Sequence, residues 1–443
     1  MPTDPIVAIA TPPGVGGIGV VRISGLGIDT ICSGILHQIP KPRTATYARF
    51  FDSNGLPIDE GIALYFLSPR SFTGEDILEL QAHGGPVILD MILERTVELG
   101  ARIARPGEFT ERAFLNDKID LLQAEAIADL IEAKTIRAAR SARRVMQGDF
   151  SSLVNDLINE LIDLRVYVEA SIDFSDQEID FLSEGKVKNR LTNLLARLQK
   201  ILHTAKQGAI LRDGINIVIA GKPNSGKSSL LNLLAQRETA IVTDQAGTTR
   251  DILRETISID GVAINFVDTA GLRIAKDQVE QEGIRRARQE IDQADRILWI
   301  VDANDSERDQ IEEIAESNRS KVTRVYNKID LTGDDAVLRK TDQFIDIFLS
   351  VKFRDGIDLL IEHLSDIIGL CESTEDVILA RRRHVDSIKI ASTCIELALT
   401  QLSNLEIVAE ELRQAQLGLS KITGSFTTDD LLGQIFSTFC VGK

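Results

Sequence analysis

The chain has 443 residues, more than one hydrophobic core normally serves, so roughly two to four domains are expected. A hydrophobic content of 43% and a charged content of 26% are those of an ordinary globular protein. No apolar run is long enough to span a membrane, and the start MPTDPIVAIATPPG lacks the basic and long apolar regions of a signal peptide, so a cytosolic protein without membrane contact is expected. The net charge of −17 opposes non-specific binding to nucleic acid, because polyanion affinity comes mainly from Lys and Arg displacing counterions, and any RNA contact needs a local basic patch.

Residues 1–118 mix short β-type runs (IVAIAT, IGVVRIS, GIALYF, DILELQAHG) with one helical stretch, VILDMILERTVELG, ending at Gly100 as a C-cap glycine would. This is the pattern of a small α/β domain. Residues 119–211 contain no proline and repeat apolar residues at helical spacing, as in LLQAEAIADLIEAKTIRAARSA, which predicts long packed helices. Arg137, Arg140, Arg143 and Arg144 form one candidate basic patch here, and Arg381, Arg382 and Arg383 another, although a solvated helix face is the more ordinary reading of either taken alone. The acidic run Asp173-Phe174-Ser175-Asp176-Gln177-Glu178-Ile179-Asp180 fits a solvated loop better than a metal site.

Residues 212–370 alternate strands and helices: INIVIAG, a helix from Lys227, strands on either side of Asp260-Gly261, then RILWIVDA, KVTRVYNKID and FIDIFLSVK. That alternation predicts a doubly wound sheet. Helical texture resumes over residues 371–443, so the simplest architecture is a nucleotide domain inserted into a helical domain. The cysteines Cys32, Cys371, Cys394 and Cys440 show no C-x-x-C spacing and the histidines do not cluster, so neither a disulfide framework nor a zinc site is indicated. A terminal lysine, Lys443, argues against a prenylation box at Cys440, which is readable either as a reactive thiol or as a buried small residue.

Gly221-Lys222-Pro223-Asn224-Ser225-Gly226-Lys227-Ser228 fits G-x-x-x-x-G-K-[ST], with an apolar strand before it and a helix beginning Ser228-Ser229 after it. Such a loop turns backbone N–H groups towards phosphates, Lys227 reaches the terminal phosphates, and the Ser228 hydroxyl ligates magnesium. Asp268-Thr269-Ala270-Gly271 closes a strand, placing a carboxylate for the magnesium shell and the Gly271 N–H for the γ-phosphate. Asn327-Lys328-Ile329-Asp330 also ends a strand; the Asp330 carboxylate can accept two hydrogen bonds from guanine, whereas adenine would leave it unpaired. Ser350-Val351-Lys352 suits the loop closing over the base. Four motifs in this order predict a GTPase. Leu272, where many small GTPases carry a water-orienting glutamine, cannot orient water, and no arginine is marked as a finger, although Arg250 and Arg273 lie close in sequence. A bound monovalent cation can fill that electrostatic role, and Thr243-Asp244-Gln245-Ala246-Gly247-Thr248-Thr249-Arg250-Asp251 has oxygens to hold one, with Thr249 a second hydroxyl for magnesium.

The segments ATPPGVGGIGVVRISG, SFTGEDILELQAHGGPVI, RPGEFTERAFLNDKIDLLQAEAIADLI, TDQAGTTRD and the terminal Cys440-Val441-Gly442-Lys443 resemble the MnmE (TrmE) family of bacterial tRNA-modification GTPases, of the TRAFAC class, over essentially the whole chain. The resemblance implies an N-terminal α/β domain that binds tetrahydrofolate and dimerises, a helical domain, and an inserted P-loop GTPase domain. It implies a homodimer joined to the FAD protein MnmG in a heterotetramer. Together they would add an aminomethyl or carboxymethylaminomethyl group at carbon 5 of the tRNA wobble uridine, drawing on a 5-formyl or methylene tetrahydrofolate. It implies potassium ligands Asn224, Thr243, the Gln245 carbonyl and Thr248, a water-orienting Glu280 that offsets Leu272, and a folate site at Arg22, Glu79, Lys118 and Lys443. A carboxylate such as Glu79 can grip the amidine-like edge of a pterin while cations meet its carbonyl and glutamyl tail. Val351 departs from the family's usual alanine, which touches only the affinity of a loop that contacts guanine through its backbone. Two rivals remain, a ribosome-assembly GTPase without folate chemistry and a folate-binding scaffold whose hydrolysis ignores potassium.

Overall fold

The computed structural model describes residues 4–173, 184–237, 254–268, 290–305, 316–341, 343–369, 377–424, 429–437, 439 and 442. They form two compact units, one of residues 1–128, 144–195 and 390–443, the other of residues 129–143 and 196–389.

The first unit carries a six-stranded sheet of β1 (Ile6–Ile9), β2 (Gly16–Gly25), β3 (Thr46–Phe51), β4 (Pro57–Phe66), β5 (Asp76–Gly84) and β6 (Arg102–Ile103). The order is β3-β4-β5-β2-β1-β6, antiparallel except for the β1–β6 pair. Period-two alternation sends Val21, Ile23, Leu78 and Leu80 to one face, where they pack on Ile31 and Ile35 of α1 (Asp29–Leu36) and on Leu89 and Ile92 of α2 (Pro86–Glu98). Pro86 opens α2 where its missing N–H costs nothing, and Gly100, at φ +106°, donates its N–H to Val97 as the helix ends. The opposite face buries Ile6, Ala8 and Ala104 against Phe109 of α3 (Glu108–Leu115).

The sequence pattern predicts one helix before residue 118, and the structure has three. α1 and α3 are only eight residues each, too short for periodicity to register. In α3 the buried face is also charged. Glu108 accepts from both terminal nitrogens of Arg102, at 2.8 and 2.5 Å, from the Arg105 N–H at 2.9 Å and from Arg112 at 3.2 Å. Arg112 in turn grips Glu75 at 2.9 and 3.1 Å, and Glu75 accepts from the buried Ser24 hydroxyl.

The helical texture after residue 119 resolves into α4 (Leu121–Glu132), α5 (Ile136–Met146), α6 (Asp149–Asp173), α7 (Glu184–Asp213), α10 (Arg382–Thr400), α11 (Leu405–Thr423) and α12 (Asp429–Ser437), the labels α8 and α9 being kept for helices of the second unit. In the first unit α6 packs along α11 through Val154, Leu157, Leu161, Leu164 and Val168 on one side and Val408, Leu412, Ala415 and Leu419 on the other. Helices α4, α5, α7 and α10 each contribute residues to both units.

The second unit is built on β7 (Ile215–Ala220), β8 (Arg254–Ile259), β9 (Val262–Asp268), β10 (Arg296–Asp302), β11 (Val322–Asn327), β12 (Val337–Lys340) and β13 (Ile345–Leu349), with α8 (Lys227–Arg237) and α9 (Ile357–Ile368). Strand order is β12-β13-β11-β10-β7-β9-β8; the five inner strands are parallel and the two edges antiparallel. This is the doubly wound sheet expected. The β8–β9 hairpin turns on Asp260 and Gly261, both at positive φ, the signature of a type I′ turn. The edge strand β12 has no counterpart in the sequence reading because only its half-exposed Val337 and Leu338 are apolar.

One carboxylate joins three distant segments of this unit. Asp129, near the end of α4, accepts from Arg212 Nε and Arg381 Nη2 at 2.8 Å each. Arg212 is the penultimate residue of α7, shortly before β7 begins at Ile215, and Arg381 stands just before α10. Between them the segment 377–380 is buried, with Ser141 donating to the Val377 carbonyl at 2.9 Å and the α7 backbone at Gly208 so close to Ile378 that no Cβ fits.

Burial alone would raise the Glu108 carboxyl, but the bonds from Arg102, the Arg105 N–H and Arg112 outweigh it and hold its pKa at about 2 against an ordinary 4.5. A depressed folded-state pKa means that this stabilisation is complete above pH 4.5 and lost as the pH falls towards 2. Glu108→Gln should therefore destabilise the protein by about 3 kcal/mol at pH 7. Urea midpoints of variant and wild type should converge between pH 4.5 and 2, and an unchanged gap would assign the loss to packing alone.

Candidate functional site

The first chain reversal of the doubly wound sheet lies beside β7, between β9 and β10, and ligands bind such sheets at the carboxyl ends of the strands. Residues 221–226 leave the carboxyl end of β7 and enter α8. Gly221 stands at φ +141° and Gly226 at φ +101°. A Cβ on the first would collide with the Ile300 carbonyl of β10, and one on the second with the Asn327 side-chain amide, so both glycines are required by close approach. Lys227 is buried, and its ammonium donates to the Gly221 and Lys222 carbonyls at 3.0 and 2.8 Å, folding the side chain back over its own loop. The Ser225 hydroxyl is buried with no hydrogen-bond partner among the described residues. Ser228 and Ser229 are exposed on the first turn of α8, and Asn224 is at φ +63°. Asp268 pairs in register with Ile219, which sets its backbone beside the start of the loop.

The other half of the site hangs on Asn327, at the carboxyl end of β11. Its side-chain amide donates to the Ser225 carbonyl at 2.9 Å, while its oxygen accepts from the N–H groups of Lys328 at 2.8 Å and Val351 at 3.1 Å. One side chain thus ties the loop at 221–226 to the two loops that follow β11 and β13. Lys328, at φ +69°, donates to Asp302 at 2.6 Å. The Ser350 hydroxyl donates to Asp330 at 2.6 Å and accepts from the Phe353 N–H at 3.3 Å. Lys352 is exposed. Sequence reading missed Asp302; its signal is the register that sets the end of RILWIVD directly beside Asn327.

Thr243, Asp244, Gln245, Ala246, Gly247, Thr248, Thr249, Arg250, Asp251, Thr269, Ala270, Gly271, Leu272, Arg273, Glu280, Cys371, Cys440 and Lys443 lie outside the described residues, as does most of the acidic run after Asp173. Among the described residues no group of His, Cys, Asp or Glu is arranged to hold a metal ion, and no helix is long and apolar enough to cross a membrane.

In the first unit, the β2–β5 register sets Arg22 directly across from Glu79. Arg22 donates through Nε at 2.8 Å, lies 5.9 Å from the Phe109 ring centroid, and reaches the Gly442 carbonyl at 3.3 Å. Arg22, Glu79 and the end of the chain therefore meet. Lys118 makes its bond elsewhere, to the Pro69 carbonyl at 2.8 Å.

A family model of the GTP-binding protein TrmE N-terminus matches residues 5–118, and a model of the MnmE helical domain matches residues 121–440. The chain belongs to the MnmE family of GTPases. It is 54% identical to the tRNA modification GTPase MnmE of Hydrogenovibrio crunogenus, over 99% of both chains. It is 53% identical to the proteins of the same name from Pectobacterium carotovorum, over 100% of this chain and 99% of that one, and Haemophilus influenzae, over 99% and 100%. The helical-domain match of this MnmE-family chain spans the seven-stranded sheet as well as the helices before and after it.

Ser350→Ala removes the only side-chain hydrogen bond drawn to Asp330 among the described residues. One such bond to a charged group contributes about 1.5–3 kcal/mol, so affinity for a fluorescent GTP analogue should fall roughly tenfold or more, and the melting temperature should fall with it because the Ser350 hydroxyl is buried. Unchanged affinity would show that Asp330 needs no support.

Proposed function

We propose that this chain is the GTP-hydrolysing component of a tRNA wobble-uridine modification system, working as a homodimer with the flavoprotein MnmG. The pair would install an aminomethyl or carboxymethylaminomethyl group at carbon 5 from a tetrahydrofolate one-carbon unit. The observation that carries the reading is the Arg22–Glu79 pair meeting the chain's own terminus in a chain that also holds the Asn327-tied nucleotide loops. A ribosome-assembly GTPase has no use for the former. The curated relatives bear the name tRNA modification GTPase along their whole length.

In this reading residues 1–118 bind folate and dimerise, residues 119–211 and 371–443 form the helical domain, and residues 212–370 bind GTP. The loop at 221–228 fits a phosphate: both glycines keep it free of side chains, and the buried Ser225 hydroxyl lacks a partner that an anion would supply. Lys227 would exchange its two loop carbonyls for phosphate oxygens. Asp330, oriented by Ser350, selects guanine, with Asn327, Lys328, Val351 and Lys352 around the base. Ser228 and Thr249 would hold magnesium, which supplies charge neutralisation between the phosphates. Asn224, Thr243, Gln245 and Thr248 would hold potassium, in the place of an arginine finger, and Glu280 would orient the attacking water. Glu79 would turn from Arg22 to the edge of a pterin, with Arg22, Lys118 and Lys443 meeting its carbonyl and glutamyl tail.

Two measurements test the reading. Calorimetric titration with 5-formyl-tetrahydrofolate should show saturable binding that Arg22→Ala loses; no binding by the wild type would favour the ribosome-assembly rival. Hydrolysis in sodium should run at least tenfold slower than in potassium, since arginine fingers are worth about 10³–10⁵ in rate. Equal rates would remove the cation.

A further inference from the structure

Acidic residues outnumber basic ones by 67 to 50 in this chain, yet residues 133–143, 196–212 and 377–385 contain no aspartate or glutamate. The three stretches come together inside the second unit, through the Ser141–Val377 hydrogen bond and the contact of Gly208 with the Ile378 carbonyl. The fold sorts the arginines of α5 and of the 381–383 run into two kinds. Arg137 donates to the Asp260 carbonyl at the β8–β9 turn, Arg144 pairs with Asp149 at 3.1 Å, and Arg381 is held by Asp129. Arg140, Arg143 and Arg382 are exposed and have no hydrogen bond or ion pair among the described residues.

We propose that Arg140, Arg143 and Arg382 form a docking strip for the phosphate backbone of RNA; the proposal rests on the tRNA-modifying reading above. Arg140 and Arg143, three residues apart, are neighbours on the surface of α5. The guanidinium fork suits phosphate oxygens, and a docking contact to the backbone needs charge rather than base readout. The scarcity of acids matters as much as the arginines. With a Debye length of about 10 Å at 0.1 M salt, a carboxylate beside the strip would weaken each cation for an approaching polyanion, and the nearest in sequence, Asp149 and Asp386, are paired with Arg144 and Lys389. The net charge of −17 opposes RNA binding elsewhere, so such a strip also favours one orientation of approach for tRNA.

The test is fluorescence anisotropy of a labelled tRNA transcript titrated with the full-length protein between 50 and 200 mM KCl. The variant is Arg140→Ala/Arg143→Ala/Arg382→Ala, whose three positions are exposed and outside the nucleotide site. Loss of three phosphate contacts should lower affinity at least tenfold and flatten the slope of log K against log salt by about two to three. Hydrolysis of GTP without RNA should be unchanged, and the corresponding triple lysine variant should keep most of the slope. Wild-type affinity and slope in the alanine variant would overturn the strip while leaving the tRNA reading intact. A wild-type chain with no saturable tRNA binding would overturn both. Polyglutamate competing as well as tRNA for the wild type, and no longer in the variant, would assign the strip to an acidic protein and overturn the RNA assignment.

Discussion

The nucleotide side of the molecule depends on the side chain of Asn327. Parallel sheets leave their loops at the carboxyl edge without any ladder to fix them, so something other than β pairing must hold the loops after β7, β11 and β13 in one arrangement. A single amide does this by donating to one loop and accepting from two others, at the cost of admitting no side chain at Gly226. Being buried, those bonds are expensive to break without replacement. The loops that carry Asp330 and Lys227 are consequently parts of one assembly rather than neighbours by chance.

What the sequence made legible follows from the range of the interactions concerned. The loop at 221–228 and Asn327-Lys328-Ile329-Asp330 are local patterns that require particular backbone geometry, and the structure sets both at strand ends. The Asp260-Gly261 turn was equally plain, since only residues tolerant of positive φ close such a hairpin. Helices α1 and α3 were not, being short, and in α3 the buried Glu108 and Arg112 read as surface residues until their partners from other elements are known. Asp302 escaped notice because its role arises from strand register, which no local pattern states. Of the two arginine runs, sequence identified the charge but not the division of labour within it. That Arg381 is internal scaffolding follows only from the position of Asp129, some 250 residues earlier in the chain, while Arg382 has no partner among the described residues.

Buried charge organises both units, and in both it works by convergence. Glu108 collects three donors near the edge of the N-terminal sheet, while Asp129 collects one arginine from each crossing of the chain beside the doubly wound sheet. Neither carboxylate is as favourable as a well-packed apolar residue would be in energy alone. What each supplies is directionality, since an ionised oxygen accepts only donors that arrive along suitable lines.

The shared carboxylate at Asp129 also bears on how such a protein can be re-engineered. Arg212 lies at the end of a long helix and Arg381 directly after a buried segment, and both donate to Asp129. A foreign module spliced between residues 213 and 377 would inherit the latch on condition that Arg212 and Arg381 stay in the host. Moving the seam a few residues outward on one side would discard half of it, leaving Asp129 with a single arginine.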